Sequence, residues 1–393
     1  MALIPIFIQL GGATGSIGDP SGHSTERQPL SSDTIRENVT HIETQVRKFF
    51  HNGVAYATRR GVNVGLDSEK EVVIINNIDW IGKMTAIELL SDVGRYVRVS
   101  SMLAKDSVRS RIRRKTDQGI SFTEFSYQLL QAYDFWHLYN TYNCQIQLGG
   151  SDQWGNITAG IDLIQKKKAA KDESLVEENK EACGITLPLL VNSRGEKFGK
   201  SAGNPVWLRE DMTSSYDFYQ FFIRMPDSDV GKHLKMLTLL DIEEIDNVME
   251  LHEKTPGKYI AQEKLASEIT ELVHGEEALK RAQLATSLLF GTSDLNEIKA
   301  KDLIHAFRND TRLKFLPESD VIDNTIDKVA TLSGACGTRS EANKMIKARG
   351  LYLNKNRMIQ PTYVISRDDL IDERLLLFRV GRNSYTIVAI EKQ

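Results

Sequence analysis

The segment GEKFGKS, residues 195–201, places two lysines three positions apart in a loop flanked by glycine. A phosphate-binding P-loop requires glycine, four spacer residues and then Gly-Lys-Ser or Gly-Lys-Thr, so that successive backbone N–H groups surround the phosphates. The residue five positions before Gly199 is Arg194, so this spacing is not met. Lys197 and Lys200 are instead suited to stabilising negative charge that develops on a phosphate during a reaction.

A second group of polar residues lies on the predicted helix SFTEFSYQLLQAYDFWHLY, residues 121–139. Tyr127, Gln131 and Asp134 follow one another at i, i+4 and i+7, so they share one face of the helix. Polar side chains on an otherwise apolar helix are costly when they are buried without partners. They therefore predict a site for a small polar ligand, and a solvent-exposed polar stripe is the alternative.

Two glycine turns offer further polar groups. The segment GGATGSIGDPSG, residues 11–22, follows an apolar strand and presents Asp19, but it lacks the GxGxxG spacing of a dinucleotide site. The segment QLGGSDQWGN, residues 147–156, follows another predicted strand and presents Asp152 and Gln153. Residues at the carboxyl ends of parallel strands commonly bind ribose hydroxyls and amino-acid head groups, so both turns are candidate ligand sites. A purely structural turn is the alternative for the first.

The elements that position these residues alternate between short apolar runs and helical patterns as far as about residue 210. Such alternation predicts an α/β fold in which helices cover a parallel sheet. Strands are predicted at residues 3–10, 72–75, 145–148 and 187–191. Helices are predicted at residues 33–50, 84–97, 121–139 and 156–167. The pattern is helical throughout from about residue 214 to 328, and residues 329–393 predict one helix with short strands.

Composition and charge describe a globular protein. The 393 residues are 41% hydrophobic and 26% charged, with a net charge of −3, which suits about two or three domains with their own cores. No run is apolar for long enough to span a membrane. The three cysteines form no CxxC pair, which argues against a zinc site or a disulfide framework. Two local basic runs, residues 105–115 and 338–382, predict contact with phosphates, and solvated helix faces are the alternative.

Together, GGATGSIGDPSG, YQLLQAYD, LGGSDQWGN and KFGKS resemble the tyrosyl-tRNA synthetases, a family of class I aminoacyl-tRNA synthetases, in order and approximate spacing. The similarity runs from Gly11 to the C-terminus, and GITLPLLVNSRGEKFGKSAGNPVWL is most similar to mitochondrial members. The segment TRSEANKMIKARGLYLN resembles an S4-type RNA-binding module, in which basic residues recur at helical spacing: Arg339, Lys344 and Lys347. The resemblance implies a Rossmann-like parallel-sheet catalytic domain at residues 1–213, a helical domain at 214–328 and a small S4-like α+β RNA-binding domain at 329–393.

The resemblance also implies roles for individual residues. Asp134 matches the acceptor for the hydroxyl of tyrosine, and Gln153 lies beside the carboxylate of the substrate. The groups that match the ammonium site are Asp19, Tyr127 and Gln131. The residues that match the ATP site are Gly12, Arg27, Asp152 and Lys200, with Asp152 on the ribose. The residues that match the catalytic, phosphate-stabilising loop are Lys197, Lys200 and Ser201.

The implied activity is the ligation of tyrosine to tRNA(Tyr), in mitochondrial translation. ATP is a substrate that brings Mg²⁺ with it, and no dedicated protein metal site is expected. The expected partners are tRNA(Tyr), L-tyrosine, ATP and a second copy of the chain, which docks through residues of about 80–140. DNA and membranes are not expected partners. The expected location is the mitochondrial matrix, with the cytoplasm as second choice.

One motif of the family is absent from this sequence. The eight histidines contain no His-x-Gly-His pair, and His23 stands where the family usually has lysine. The expectation is an N-terminally truncated chain, and loss of one pre-organised transition-state donor typically costs about 10²–10³ in rate. A non-catalytic RNA-binding protein is therefore the alternative function. A tryptophanyl synthetase is disfavoured, because Tyr127, Gln131 and Asp134 suit a phenol and an ammonium better than an indole.

Overall fold

A computed structural model divides the chain into two units. The first comprises Met1–His51 and Val64–Ser201, and the second comprises Asn52–Asn63 and Ala202–Gln393. The residues that the structure describes are 5–19, 30–62, 72–105, 108–109, 112, 120–170, 181–191, 205–290, 299–308, 310–381 and 384–391.

The first unit begins with a parallel strand pair. Strand β1 spans Ile6–Leu10, and strand β2 spans Val72–Asn76. The two strands are paired along their whole length. Helix α1, Ser32–Arg59, lies between them in the chain. Parallel strands need such a crossover because the chain must return to the same end of the sheet. Both strands are confirmed close to their predicted bounds, and the helix continues beyond its predicted end at residue 50.

The segment after β2 is helical but interrupted. Helix α2 spans Ile78–Ile81, and helix α3 spans Ala86–Glu88. A π-helical turn at Leu89–Val93 and a 3₁₀ turn at Gly94–Tyr96 follow, and helix α4 spans Val99–Leu103. The helical stretch predicted over residues 84–97 is therefore confirmed over residues 86–96, where α, π and 3₁₀ turns follow one another. The side chain of Lys167 donates to the backbone carbonyl of Asp92 at 3.1 Å, so this carbonyl has a partner outside the helical ladder.

Helix α5 spans Phe122–Tyr142 and carries the polar face that the sequence predicts. The Ser121 hydroxyl accepts a hydrogen bond from the N–H of Glu124 at 3.2 Å, which confirms the predicted start of the helix. The helix ends at Asn143, whose φ of 54° lies in the left-handed region that terminates helices.

A second parallel strand pair follows α5. Strand β3, Ile146–Gly150, pairs with strand β4, Cys183–Leu187, and the crossover contains helix α6, Trp154–Ala169. The predicted strand at residues 187–191 is wrong, because β4 ends where that prediction begins. Pro188 follows directly, and proline cannot donate the hydrogen bond that a paired strand requires. The core between α5 and α6 includes Ala132, Phe135, Trp136, Leu163 and Ile164.

The second unit begins as a group of helices. Helices α7 to α12 span Ser215–Ile223, Asp227–Leu237, Ile242–Lys254, Ile260–His274, Glu276–Phe290 and Ala300–Ala306. The Asp241 carboxylate accepts from the N–H of Glu244 at 2.7 Å and so caps α9. The hydroxyl of Tyr56, in the part of α1 that belongs to this unit, donates to the buried carboxylate of Glu268 at 2.5 Å.

A five-stranded sheet follows the helices. Its strands β5 to β9 span Leu313–Leu316, Leu351–Leu353, Asn356–Arg357, Leu375–Val380 and Ser384–Ile390, and they lie in the order β5-β9-β8-β6-β7. Helices α13 to α15 span Glu318–Val321, Ile326–Leu332 and Arg339–Lys347. Strand β5 pairs with β9 in parallel, so the prediction of helix throughout residues 214–328 is wrong there. Its partner is distant in the chain, and a local pattern does not show it.

The predicted fold class is confirmed. Among the described residues, the first unit contains two parallel strand pairs with crossover helices, and the second contains helices followed by a strand-rich end. The limits of the three predicted domains stay a prediction.

Candidate active site

The turn after β1 is fastened to the end of β2. The N–H of Gly12, a predicted ATP-binding residue, donates to Oδ1 of Asn76 at 3.0 Å. The N–H of Ala13 donates to Oδ1 of Asn77 at 2.8 Å. A Cβ atom on Gly12 would lie 2.4 Å from Oδ1 of Asn76, so a larger residue does not fit. The residues after both strands are therefore held together at the edge where parallel sheets bind ligands.

Asp134 is the centre of the polar network at this edge. Its Oδ2 accepts hydrogen bonds from Nε2 of Gln9 at 2.5 Å and from Nδ2 of Asn77 at 3.0 Å. Its Oδ1 accepts one from Nε1 of Trp80 at 2.7 Å. Asp134 is only 1% exposed, so β1, the residues after β2 and helix α5 meet on one buried carboxylate.

The three donors around Asp134 are electrically neutral. Burial raises the pKa of Asp134 to about 6, although hydrogen bonds from Asn77, Trp80 and Gln9 lower it. The carboxyl group is therefore mostly ionised at pH 7, and no cation among the described residues pairs with it. Such a group can accept a further hydrogen bond from a ligand hydroxyl.

Aromatic rings surround one side of this network. The Trp80 ring stacks on the His137 ring, with 4.4 Å between centroids and 14° between planes. Burial lowers the pKa of His137, so its imidazole is mostly neutral at pH 7. The Tyr142 ring contacts both His137 and Phe7 of β1. The surroundings suit an apolar ring that ends in a polar group.

The turn after β3 forms the second part of the site. A Cβ atom on Gly150 would lie 2.7 Å from Oδ1 of Asp152, so glycine lets this carboxylate fold back against the end of the strand. Nε2 of Gln153 donates to Oδ2 of Asp19 at 2.8 Å, and Oε1 of Gln153 accepts from Nδ2 of Asn156 at 3.2 Å. The structure thus brings together Asp19 and Gln153, which are predicted from two separate segments.

Tyr127 and Gln131 lie on α5, on the turns that precede Asp134. Both are half-buried, as is Asp152 after β3. The alternative of a solvent-exposed polar stripe is wrong at Asp134, which α5 buries. The roles of these residues toward a ligand stay predictions.

The predicted phosphate-binding residues are mostly not described. The predicted residues that lie outside the described ranges are Arg27, Lys197, Lys200 and Ser201. The basic run at 105–115 is described only in part, and its first member, Lys105, donates to Oγ1 of Thr158 at 3.0 Å. This hydrogen bond ties the half-buried Lys105 to α6, and burial lowers the pKa of its ammonium.

Sequence reasoning missed the three donors to Asp134, which are Gln9, Asn77 and Trp80. For Asn77 and Trp80 a signal was available, because NNIDW directly follows an apolar strand and polar residues at that position are candidate ligands. Gln9 is the one polar residue in the strand IFIQL, which is a second signal. Neither signal shows that the three converge on α5, because this depends on how the helix packs.

The described residues carry no candidate metal site, disulfide bond or membrane-spanning helix. Within the described ranges, no group of three or more His, Cys, Asp or Glu side chains is arranged to hold a metal ion. Cys144, Cys183 and Cys336 form no disulfide bond. None of the helices in the described parts of the chain is long and apolar enough to cross a membrane.

Comparison with known sequences identifies close relatives. Residues 2–291 match the family described as tRNA synthetases class I (W and Y). The chain is 40% identical to tyrosine–tRNA ligase 1 of Bacillus subtilis (strain 168) over 383 residues, covering 96% of this chain and 83% of the relative. It is 38% identical to the mitochondrial tyrosine–tRNA ligase of Drosophila melanogaster over 388 residues, covering 96% of this chain and 79% of the relative.

A solved structure is similar as well. It is that of a C-terminally truncated mitochondrial tyrosyl-tRNA synthetase from Aspergillus nidulans, with a TM-score of 0.64 and 35% sequence identity. The match covers 73% of this chain and 77% of that chain. The resemblance that the motifs predict is therefore confirmed over most of the sequence.

Proposed function

The chain belongs to the class I tRNA synthetases of the tryptophan and tyrosine branch, and on this basis we propose that it is a tyrosine–tRNA ligase. It activates L-tyrosine with ATP and transfers the tyrosyl group to tRNA(Tyr). The observation that carries the choice of amino acid is the buried Asp134 carboxylate, which neutral donors hold beside aromatic rings. The name of the relatives at 38% and 40% identity supports the same choice.

Tyrosine is recognised at both of its ends in this proposal. Its phenolic hydroxyl meets Asp134, whose charge is otherwise balanced by no cation in the described part of the chain. Its ammonium binds Asp19, Tyr127 and Gln131, and its carboxylate lies beside Gln153, which Asp19 holds at 2.8 Å. Phenylalanine leaves buried polar groups without a partner and is therefore a poor substrate.

In the first step, a carboxylate oxygen of tyrosine attacks the α-phosphorus of ATP. The new bond joins this oxygen to phosphorus, the bond to the β-phosphate oxygen breaks, and pyrophosphate leaves with the electron pair. The charge that develops on pyrophosphate is stabilised by the loop residues Lys197, Lys200 and Ser201. The residues that hold ATP are Gly12, Arg27, Asp152 and Lys200. Mg²⁺ arrives with ATP as part of the substrate.

In the second step, a hydroxyl at the 3′ end of the tRNA attacks the tyrosyl carbonyl carbon and displaces AMP. The C-terminal sheet offers a surface for the RNA. The guanidinium of Arg379 lies 3.7 Å from the ring centroid of Tyr352, and Arg357 donates to the Tyr352 hydroxyl at 2.9 Å. Neither arginine pairs with a carboxylate among the described residues, so both charges remain available to phosphates.

Tyrosine-dependent ATP–pyrophosphate exchange by the purified 393-residue chain tests the proposed function, with tryptophan and phenylalanine as controls. We expect exchange with tyrosine alone. Exchange with tryptophan in its place would assign the chain to the other branch of the family. A folded chain that binds tRNA but supports no exchange would favour the non-catalytic RNA-binding alternative.

A homodimer is the proposed assembly. Four large apolar side chains in the segment after β2 and at the start of α5 are more than half exposed: Ile87 at 79%, Leu90 at 59%, Val99 at 60% and Phe122 at 77%. Exposed apolar side chains concentrated in one stretch are typical of an interface. Sedimentation equilibrium should give the mass of a dimer, and Phe122→Glu should shift the equilibrium toward monomer. A wild-type chain that sediments as a monomer at micromolar concentration contradicts this assembly.

The mitochondrial matrix is the proposed location. The similarity to the mitochondrial enzymes of Drosophila melanogaster and Aspergillus nidulans supports it. The Bacillus subtilis relative is equally similar, so the cytoplasm is the second choice. Immunofluorescence of the native gene product beside a matrix marker tests this, and a diffuse cytoplasmic signal would contradict it.

A further inference from the structure

Two of the three donors around Asp134 have no hydrogen left to give. Asn77 uses both of its amide hydrogens, one on Oδ2 of Asp134 and one on Oγ1 of Thr14, each at 3.0 Å. The indole of Trp80 has a single N–H, which it donates to Oδ1 of Asp134. Both side chains are therefore fully used as donors inside the protein.

Gln9 differs from these two. Its Nε2 donates one hydrogen to Asp134 at 2.5 Å, and its second amide hydrogen has no acceptor among the residues that the structure describes. The amide nitrogen must face the carboxylate, because the amide oxygen would repel it. Gln9 is half-buried, whereas Asp134 is 1% exposed. Of the two side chains, Gln9 is therefore the one that a ligand meets first.

The Asp134 carboxylate has an unused acceptor position of its own. A carboxylate offers about four lone-pair positions. Within the described residues, Oδ2 accepts two hydrogen bonds and Oδ1 accepts one. One position on Oδ1 remains, so Gln9 and Asp134 together present one donor and one acceptor.

A phenolic hydroxyl matches this pair, because it donates one hydrogen bond and accepts another. We propose that Gln9 is a specificity-determining residue of the amino-acid site: its amide donates to the phenolic oxygen of tyrosine, and the phenolic hydrogen goes to Asp134. This inference rests on the proposed function. Phenylalanine leaves both groups unpaired. The indole N–H of tryptophan is a donor only, so it satisfies Asp134 but not Gln9.

Gln9→Met tests the inference, because methionine has a similar length and no amide. We expect kcat/KM for tyrosine in ATP–pyrophosphate exchange to fall about tenfold to a hundredfold. The kcat/KM for phenylalanine should not fall, because methionine leaves no unpaired amide facing its ring, so the ratio of the two falls by at least the same factor. A purely structural role of Gln9 would lower both values equally and leave the ratio as it is.

Gln145→Met is the matched control. Gln145 precedes β3, at the opposite end of that strand from the site, and its amide donates to Asn143. This variant should keep the wild-type ratio of tyrosine to phenylalanine. Gln9→Leu provides a second variant without an amide, and the thermal midpoint of each variant establishes that it is folded.

Equilibrium dialysis of tyrosine and phenylalanine against the same proteins gives a readout without turnover. A wild-type chain that selects tyrosine, together with folded Gln9→Met and Gln9→Leu variants that select it equally well, overturns the inference about Gln9 and leaves the proposed function intact. A wild-type chain that neither binds tyrosine nor supports exchange overturns the proposed function, and the inference falls with it.

Discussion

Two carboxylates are buried in different parts of the chain, and their partners differ in charge. Asp134 in the first unit is 1% exposed and accepts only from neutral side chains among the described residues. Asp327 in α14 is 5% exposed and accepts from the guanidinium of Arg339 at 2.9 Å. Burial opposes the charge of Asp327, but hydrogen bonds from Arg339 and Thr325 outweigh it, so the pKa of Asp327 is lowered. The pKa of Asp134 is raised to about 6 by burial.

The difference distinguishes a binding group from a structural one. Arg339 neutralises Asp327, so this carboxylate holds the start of α15 against α14 and has little charge left for a ligand. Among the described residues, Asp134 meets no cation and keeps one acceptor position without a donor, which a ligand hydroxyl can use. A buried carboxylate that is held by neutral donors is thus a better indicator of a binding site than burial alone.

Asp134→Asn should have the largest effect. The change turns one carboxylate oxygen, an acceptor, into an amide nitrogen, which is a donor. This nitrogen would face the surrounding donors without an acceptor, and the ligand hydroxyl would lose the charged group that accepts its hydrogen bond. We expect kcat/KM for tyrosine in ATP–pyrophosphate exchange to fall by about 10³-fold, as for other sites that lose a hydrogen bond to the reacting substrate. Asp327→Asn is the matched control and should stay within about twofold of wild type. A folded Asp134→Asn variant with more than a tenth of wild-type activity would remove Asp134 from the binding site.

The binding of tyrosine should depend on pH through the charge of Asp134. The pKa of Asp134 is about 6 in the folded chain and 3.8 in the reference state, so protonation near pH 5 leaves about a tenth of the group ionised. The KM for tyrosine should therefore rise about tenfold between pH 7.5 and pH 5. A KM for tyrosine that is flat over this range contradicts the role of the charged carboxylate.

The sign of the stability effect follows from proton binding. Folded Asp134 binds a proton more readily than unfolded Asp134, so its contribution to the free energy of unfolding decreases as pH rises from about 4 to about 6. Folded Asp327 binds a proton less readily, so it stabilises the fold above pH 3.8 and loses this effect as pH falls further. Urea unfolding at pH 7 and at pH 3 gives the free energy of unfolding of wild type and of Asp327→Asn. The difference in this free energy between the two proteins should be smaller at pH 3 than at pH 7.

Asp327→Asn should reduce stability by a smaller amount. The change removes the charge that Arg339 pairs with and weakens the hydrogen bonds from Thr325 and from the N–H of Lys328. We expect the free energy of unfolding to fall by about 1 kcal/mol, because the arginine end of the pair is partly exposed to water. Denaturant unfolding measures this. An unchanged unfolding midpoint would show that the pair does not stabilise α14 and α15.

Arg379→Ala should have the smallest effect, on tRNA binding. Arg379 stacks on Tyr352 and has no carboxylate partner in the described part of the chain. We expect affinity for tRNA to fall about threefold to tenfold and the slope of log affinity against log salt to decrease by about 1. Arg47→Ala is the control, because Arg47 is already paired with Glu43 at 2.7 Å. An equal loss of tRNA affinity in the two variants would mean that Arg379 contributes no more to tRNA binding than the paired Arg47 does.

Most elements could be predicted from local patterns, and the errors have physical causes. The apolar run at β1 and the capping serine of α5 gave nearly the observed bounds. The strand predicted at residues 187–191 instead ends at Leu187, because Pro188 cannot donate the hydrogen bond that a paired strand requires. The helical stretch predicted at residues 84–97 contains a π-helical turn, which the sequence pattern does not show. Strand β5 was missed because its four residues are strand only beside β9.

By itself, the sequence determined the family, through four motifs in order, and it placed Tyr127, Gln131 and Asp134 on one helix face. These features depend on residues close together in the chain, which is what a local pattern records. Only the tertiary structure decided that Gln9, Asn77 and Trp80 donate to Asp134, and that Asp327 pairs with Arg339. The donors to Asp134 lie 125, 57 and 54 positions from it. Their hydrogen bonds form only when β1, β2 and α5 pack together, because donor and acceptor must approach within about 3 Å.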